Sequence, residues 1–151
     1  MRPAKLVAVA AITLLLLAQL IRPARDNPSS GSAIKAPEAI ASTLHRACYD
    51  CHSNETKWPW YSAIAPVSWV VSAHVHQGRG KLNFSEWGDF ASDPGTLAQK
   101  LKEIANLVDN RKMPPRYYEL MHRESRLSEA RRQELITWAR RESANAEAAA
   151  Q

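Results

Sequence analysis

Two cysteines, Cys48 and Cys51, are all that the 151 residues contain, and that scarcity narrows the chemistry. A zinc site needs four ligands, and with no second cysteine pair it would have to draw on His45, His52, His74, His76 or His122. A redox disulfide of the C-x-x-C kind sits at a strand-to-helix junction inside a βαβ unit, and no strand pattern precedes Cys48. The chain also lacks a basic surplus where it would fold. The formal charge is +5, but Arg2, Lys5, Arg22 and Arg25 flank the first apolar stretch, leaving 16 basic against 15 acidic residues from Asp26 onward. A phosphate-backbone binder concentrates positive charge in its domain, so nucleic acid is excluded as a partner. No paired acid and base stand beside the cysteines to commit the chain to substrate turnover.

The long hydrophobic run is confined to the N-terminus. Met1 to Lys5 is a short basic start, and Leu6 to Ile21 follows with only Thr13 and Gln19 polar among sixteen residues. No small-x-small cleavage site follows, and Arg22-Pro23-Ala24-Arg25 closes the run. Residues 1–25 therefore read as a targeting segment, a signal anchor retained as a single transmembrane helix in preference to a cleaved signal peptide, slightly short of a full span, with flanking Arg and Lys reaching to the interfaces. Positive charge flanks both ends equally and does not orient it. Residues 26–36, with Pro28, Ser29, Ser30, Gly31 and Ser32, read as a flexible tether.

Cys48-Tyr49-Asp50-Cys51-His52 carries the most specific signal. C-x-x-C-H is the attachment pattern of a c-type haem: positions three apart on a helical turn face the same way, so both sulfurs reach one porphyrin edge and the histidine ligates iron. Covalent attachment of this kind belongs to the exported side of bacterial membranes, so the domain after Arg25 is expected to face the periplasm. Pro37 and Glu38 suit a helix start, and Ile40, Leu44 and Ala47 mark a face that Cys48 and Cys51 continue. Ser53 to Ser62 reads as a loop. Trp58, Trp60 and Tyr61 either meet haem propionates with their polar atoms while covering the porphyrin edge, or pack as ordinary core. Aromatics are otherwise sparse, yet three of the five tryptophans fall between Trp58 and Trp69.

Pro66 opens a helix with Val67, Val70, Val71 and Val75, ended by Gly78 and Gly80. His74 and His76 lie on it, two residues apart, so one at most can meet iron. Leu82 to Phe90 reads as an irregular apolar cover. Asp93-Pro94 starts a helix striped by Leu97, Leu101, Ile104 and Val108. Met113 then precedes Pro114 and Pro115, an ordered loop that presents a thioether at a fixed place. Met113 is the candidate sixth iron ligand, with His74 as fallback and His122, Met121 or an open site as further alternatives. Ser128 caps a last helix carrying Leu135, Ile136, Trp138 and Ala139, with Arg131, Arg132, Arg140 and Arg141 on its wet face and fraying from Ser143. Residues 111–132 hold seven basic and three acidic side chains, a rim suited to an acidic redox partner.

CYDCHSNETKWPWYSAIAPVSW (Cys48 to Trp69), LNFSEW (Leu82 to Trp87), KMPPRYY (Lys112 to Tyr118) and LSEARRQELITWA (Leu127 to Ala139) together resemble a family of small bacterial haem-binding domains, cytochrome c-like and usually membrane-anchored. The resemblance implies covalent haem on Cys48 and Cys51 with His52 as axial ligand. The expected architecture is all-α: a cytochrome c-like domain of four or five helices over residues 37–143 around one haem c, with an Ala-rich tail at 144–151. The expected function is one-electron transfer at the periplasmic face, with a redox protein or membrane redox complex as partner. Its rivals are a haem-based gas or redox sensor and a small peroxidase using His74.

Overall fold

The computed structural model describes residues 2–151, so Met1 of the basic start lies outside the described residues. Those residues form helices, with no strand among them: α1 Pro3–Ala18, α2 Glu38–Ala47, α3 Tyr49–His52, α4 Val67–Lys81, α5 Trp87–Ala91, α6 Pro94–Asp109, α7 Arg116–Met121 and α8 Glu129–Ala149, with 3-10 turns at Trp60–Ala63, Phe84–Glu86 and Arg123–Ser125.

The principal helix pair is α6 on α8. The stripe on α6 buries Leu101, Ile104 and Val108 together with Ala98 and Ala105, against Leu135, Ile136, Trp138 and Ala139 of α8. Both helices start as their cap residues dictate: the Asp93 carboxylate accepts from Thr96 N at 2.8 Å, and Ser128 Oγ accepts from Arg131 N at 3.3 Å. Ile40 and Leu44 of α2, Tyr49, Phe84 and Trp87 complete the core.

Four sequence expectations are corrected. The last helix does not fray at Ser143 but continues to Ala149, because Ser143 and Ala146 are buried and Ser143 Oγ donates to Ala98 O of α6 at 2.9 Å. Arg132 is not on a wet face; it is buried, and its Nη1 donates to Val108 O at 2.6 Å at the C-terminal end of α6, where a cation complements the helix dipole. Gly78 and Gly80 lie inside α4 rather than past its end. Residues 26–36 are not a free spacer: Gly31 N donates to Ser85 O, Ile34 N to Phe84 O, and Gly88 N to Ser32 O at 2.9–3.1 Å, so the segment straps the domain through its backbone.

The N-terminal helix also differs from the expected span. It ends at Ala18, where Leu20 N and Ile21 N bond back three residues, to Leu17 O and Ala18 O, and the Gln19 amide pairs with the backbone of Ala65, accepting from its N at 3.0 Å and donating to its O at 3.2 Å. Gln19 to Ile21 thus leave the helix and run against the domain, where Trp69 Nε1 donates to Ile21 O at 2.9 Å. At 1.5 Å per residue α1 is about 24 Å long, and no helix among the described residues is long and apolar enough to cross a membrane. None of the residues of α1 is buried.

Candidate functional site

The backbone breaks helix between α2 and α3 at Cys48, φ −127°, and then makes one tight turn: Cys51 N and His52 N both donate to Cys48 O, at 3.1 and 2.9 Å. That turn places both cysteines and the histidine on one cavity wall. The thiols are free. Burial pushes the Cys48 thiol up to about 12 and the Cys51 thiol up to about 11, with the neighbouring Cys51 and Asp50 charges adding to it. Both sulfurs are therefore held as S–H at neutral pH, which suppresses the thiolate chemistry a redox pair depends on. Among the described residues, no three His, Cys, Asp or Glu side chains gather closely enough to hold a metal ion by themselves.

His52 is fixed from behind. Its Nδ1 lies 3.1 Å from Gly78 O and 3.0 Å from Leu82 O. Carbonyl oxygens only accept, so Nδ1 carries the proton and Nε2 keeps a free lone pair, the arrangement that raises a histidine's basicity toward a metal. Burial lowers the imidazole's affinity for a second proton, and the two carbonyl bonds only partly restore it. Gly78 makes this possible: a Cβ there would sit 2.2 Å from Cys51 O, so only glycine lets α4 approach the turn. Leu82 is placed by the next residues. Asn83 Nδ2 donates to Asn54 Oδ1 at 2.9 Å and Asn54 N donates to Ser85 Oγ at 3.0 Å, locking the 82–86 segment beneath the turn. The Phe84 ring meets His52 edge-on at 6.3 Å and stacks on Tyr49 at 5.5 Å.

The cavity holds about 380 Å³, within the range of sites that enclose a small molecule. Cys48, Cys51 and His52 line it together with His74 and Met113. Leu82, Phe84, Ile104, Leu107 and Val108 give it an apolar wall, and Lys81, Lys100 and Glu103 supply its charges. Met113 owes its place to the end of α6. Arg111 adopts a left-handed φ of 54°, so Arg111 N bonds back to Val108 O at 3.2 Å and Lys112 N to Leu107 O at 2.9 Å, the paired bonds of a Schellman cap. Met113 N also donates to Leu107 O, at 3.1 Å, which ties the methionine to the helix end.

Other candidates are placed elsewhere. Trp58, Trp60 and Tyr61 do not line the cavity: Trp60 is 77% exposed, Trp58 Nε1 is buried without a hydrogen-bond partner among the described residues, and Tyr61 OH pairs with His122 Nε2 at 2.7 Å. His122 has its other nitrogen on Glu124, at 3.3 Å, and neither it nor exposed Met121 lines the cavity. His76 is exposed, whereas His74 stacks on Tyr117 at 5.3 Å in the cavity wall.

Of the aromatics that do line it, Phe84 belongs to the apolar cover expected over residues 82–90, whereas Tyr117 and Tyr118 carried no sequence signal beyond their place in the Lys112–Tyr118 block. Tyr118 OH donates to Asp50 Oδ2 at 2.6 Å, and burial together with that carboxylate keeps the phenol protonated. Asp50 Oδ1 also accepts from Lys57 N at 3.0 Å, so the acidic residue between the cysteines joins the turn to α7 and to the following loop. A second, open cleft of about 580 Å³ between residues 34–37 and the α6–α8 pair is lined by no cysteine, histidine or methionine.

A family model described as a haem-binding domain matches residues 13–141. No curated protein and no solved structure matches the chain.

Proposed function

The chain belongs to the haem-binding domain family, and from that membership we propose that it carries one covalent haem c and passes single electrons at the outer face of a bacterial cytoplasmic membrane. The observation that carries this reading is the His52 ring, whose Nδ1 is spent on two backbone carbonyls beside two neutral thiols in one cavity. The residues fit the group. Cys48 and Cys51 would hold the group as thioethers, the S–H of each adding across one vinyl double bond. His52 would offer Nε2 to the iron, and Met113 would offer its sulfur from the segment tied to the end of α6. When bound, the haem supplies an iron that gains and loses one electron at a time.

Around it, this chain's residues set conditions. The apolar wall from Leu82 to Val108 excludes water, and a thioether ligand favours reduced iron, so both raise the reduction potential relative to an exposed or bis-histidine site. Lys81 and Lys100 supply the positive charge that porphyrin carboxylates require. The apolar, unburied α1 holds the domain to the bilayer, and the basic rim of residues 111–132 receives an acidic redox protein or membrane complex.

Export of the full chain with a haem-attachment system tests this reading. A reversible titration with a one-electron Nernst slope, together with loss of the sulfur-to-iron charge-transfer band in Met113→Ala, is the expected result. A protein that takes up no haem, or whose spectrum is unchanged by Met113→Ala, refutes the corresponding part. The sensor or peroxidase reading draws support from one observation, that His74 shares the cavity wall with Met113. Prompt carbon monoxide binding to the reduced protein at neutral pH would favour an open site over Met113 ligation.

A further inference from the structure

The stretch from Trp60 to Ser72, which runs from the 3-10 turn at Trp60–Ala63 into α4, is built inside out. Ser62, Ser68 and Ser72 are 1–4% exposed, while Ile64, Val67, Trp69 and Val70 are 37–54% exposed and Trp60 is 77% exposed. Two of the buried serines face inward onto backbone, Ser62 Oγ donating to Pro59 O at 2.6 Å and Ser72 Oγ to Ala24 O at 3.1 Å. Helices facing water bury their apolar side chains and expose hydroxyls, so this outward face is shaped for a different medium.

That face adjoins the root of α1. The Gln19–Ala65 pair, the Trp69–Ile21 bond and the Ser72–Ala24 bond tie residues 19–24 to the same stretch of chain. With α1 lodged in the bilayer, those bonds hold Ala65 and Trp69 beside the end of α1 that meets the domain. Trp69 spends its N–H on Ile21 and presents the rest of its indole, as tryptophans at membrane interfaces do. Arg22 and Arg25 beside it match anionic headgroups.

We infer that Trp60, Ile64, Val67, Trp69 and Val70 form a second lipid-bilayer contact, which seats the domain on the membrane surface in one orientation. The inference rests on the membrane attachment proposed above. Val67, Val70 and His74 recur at i, i+3 and i+7, so one helical face runs from the bilayer to the cavity wall, about 10 Å along α4. The site is thereby presented to a redox partner within or on the membrane.

The test uses the full, haem-loaded chain in vesicles of phosphatidylethanolamine and phosphatidylglycerol carrying a phospholipid with a diazirine on one acyl chain. After irradiation, peptide mapping should find label in α1 and in the Trp60–Val71 stretch. Val67→Glu with Val70→Glu should abolish the second label and keep the first, with the haem spectrum unchanged. Label confined to α1 overturns the second contact and leaves the attachment standing. Failure to float with the vesicles overturns both. A dimer cross-linked through this face, with no acyl label on it, assigns the face to a second copy and overturns the lipid contact.

Discussion

Two glycines in one helix should respond to alanine in opposite directions. A Cβ on Gly78 would lie 2.2 Å from Cys51 O, 3.0 Å from Cys51 C and 3.2 Å from Cys51 Cβ, whereas a Cβ on Gly80 meets nothing within 4 Å. Alanine is worth up to about 1 kcal/mol over glycine inside a helix, so Gly80→Ala should stabilise by that amount or somewhat less near the helix end. At Gly78 the same gain is set against overpacking. The overlap is with backbone, which has no rotamer to escape into, so α4 must retreat by about an ångström, at a cost toward the upper end of 1–3 kcal/mol. The net expectation is a loss of about 1–2 kcal/mol for Gly78→Ala, or about 4–8 °C in Tm at roughly 4 °C per kcal/mol for a chain of this size. Because Gly78 O is one of the two carbonyls held by His52 Nδ1, the haem spectrum should shift in this variant and stay unchanged in Gly80→Ala. Thermal unfolding and optical spectra of both haem-loaded variants make the comparison. Equal stability and identical spectra for the two would refute the close approach of α4 to the cysteine turn.

Arg111→Gly should raise stability by up to about 1 kcal/mol in urea unfolding, since glycine adopts φ 54° without the Cβ penalty, and the exposed Arg111–Glu129 pair it removes is worth little. A chain ended after Ser143 should lose about 1 kcal/mol, because burial of Ala146 and the Lys102–Glu147 pair go with the last turns of α8; an unchanged midpoint would mean those turns contribute nothing. In the haem-free chain, His52 stays neutral in the fold to lower pH than in the unfolded state. Unfolded His52 therefore takes up a proton first, and its contribution, full above about pH 6.5, is lost as pH falls through the folded value, with a slope of at most about 1.4 kcal/mol per pH unit. His52→Asn, which keeps a donor for the carbonyls and cannot titrate, should show a shallower fall between pH 6.5 and 5 in the same assay.

Much of this fold was legible because local chemistry and tertiary packing agree. The α6 stripe and the Asp93 and Ser128 caps are specified by spacings within one or two helical turns and have the predicted form, whereas the cysteines, expected to continue the face of the first helix, follow a break at Cys48 and sit on a separate turn. The site was less legible because its second layer is made of backbone. Gly78 O and Leu82 O hold His52, yet sequence records neither a carbonyl's direction nor the distance of closest approach between helices. The same limit hid the strap: Ser29 to Ser32 have the composition of a spacer, but the pairing that pins them belongs to residues 84–88. Tail and strap also show why polarity misleads. Buried Ser143 Oγ and Arg132 Nη1 donate to the carbonyls of Ala98 and Val108, partners more than twenty residues away, while Arg132 Nε is buried without a partner among the described residues. Trp58, Trp60 and Tyr61 were attractive as haem contacts for their polar handles, but the indole of Trp60 faces outward and Tyr61 serves His122.

Intact-mass spectrometry of the exported chain, matured alongside a haem-attachment system, tests the central claim most directly. The expected product is a chain heavier by one haem, with the porphyrin on the peptide that carries Cys48 to His52 and absent from a Cys48→Ser, Cys51→Ser variant. A colourless product at the mass of the polypeptide alone would contradict it.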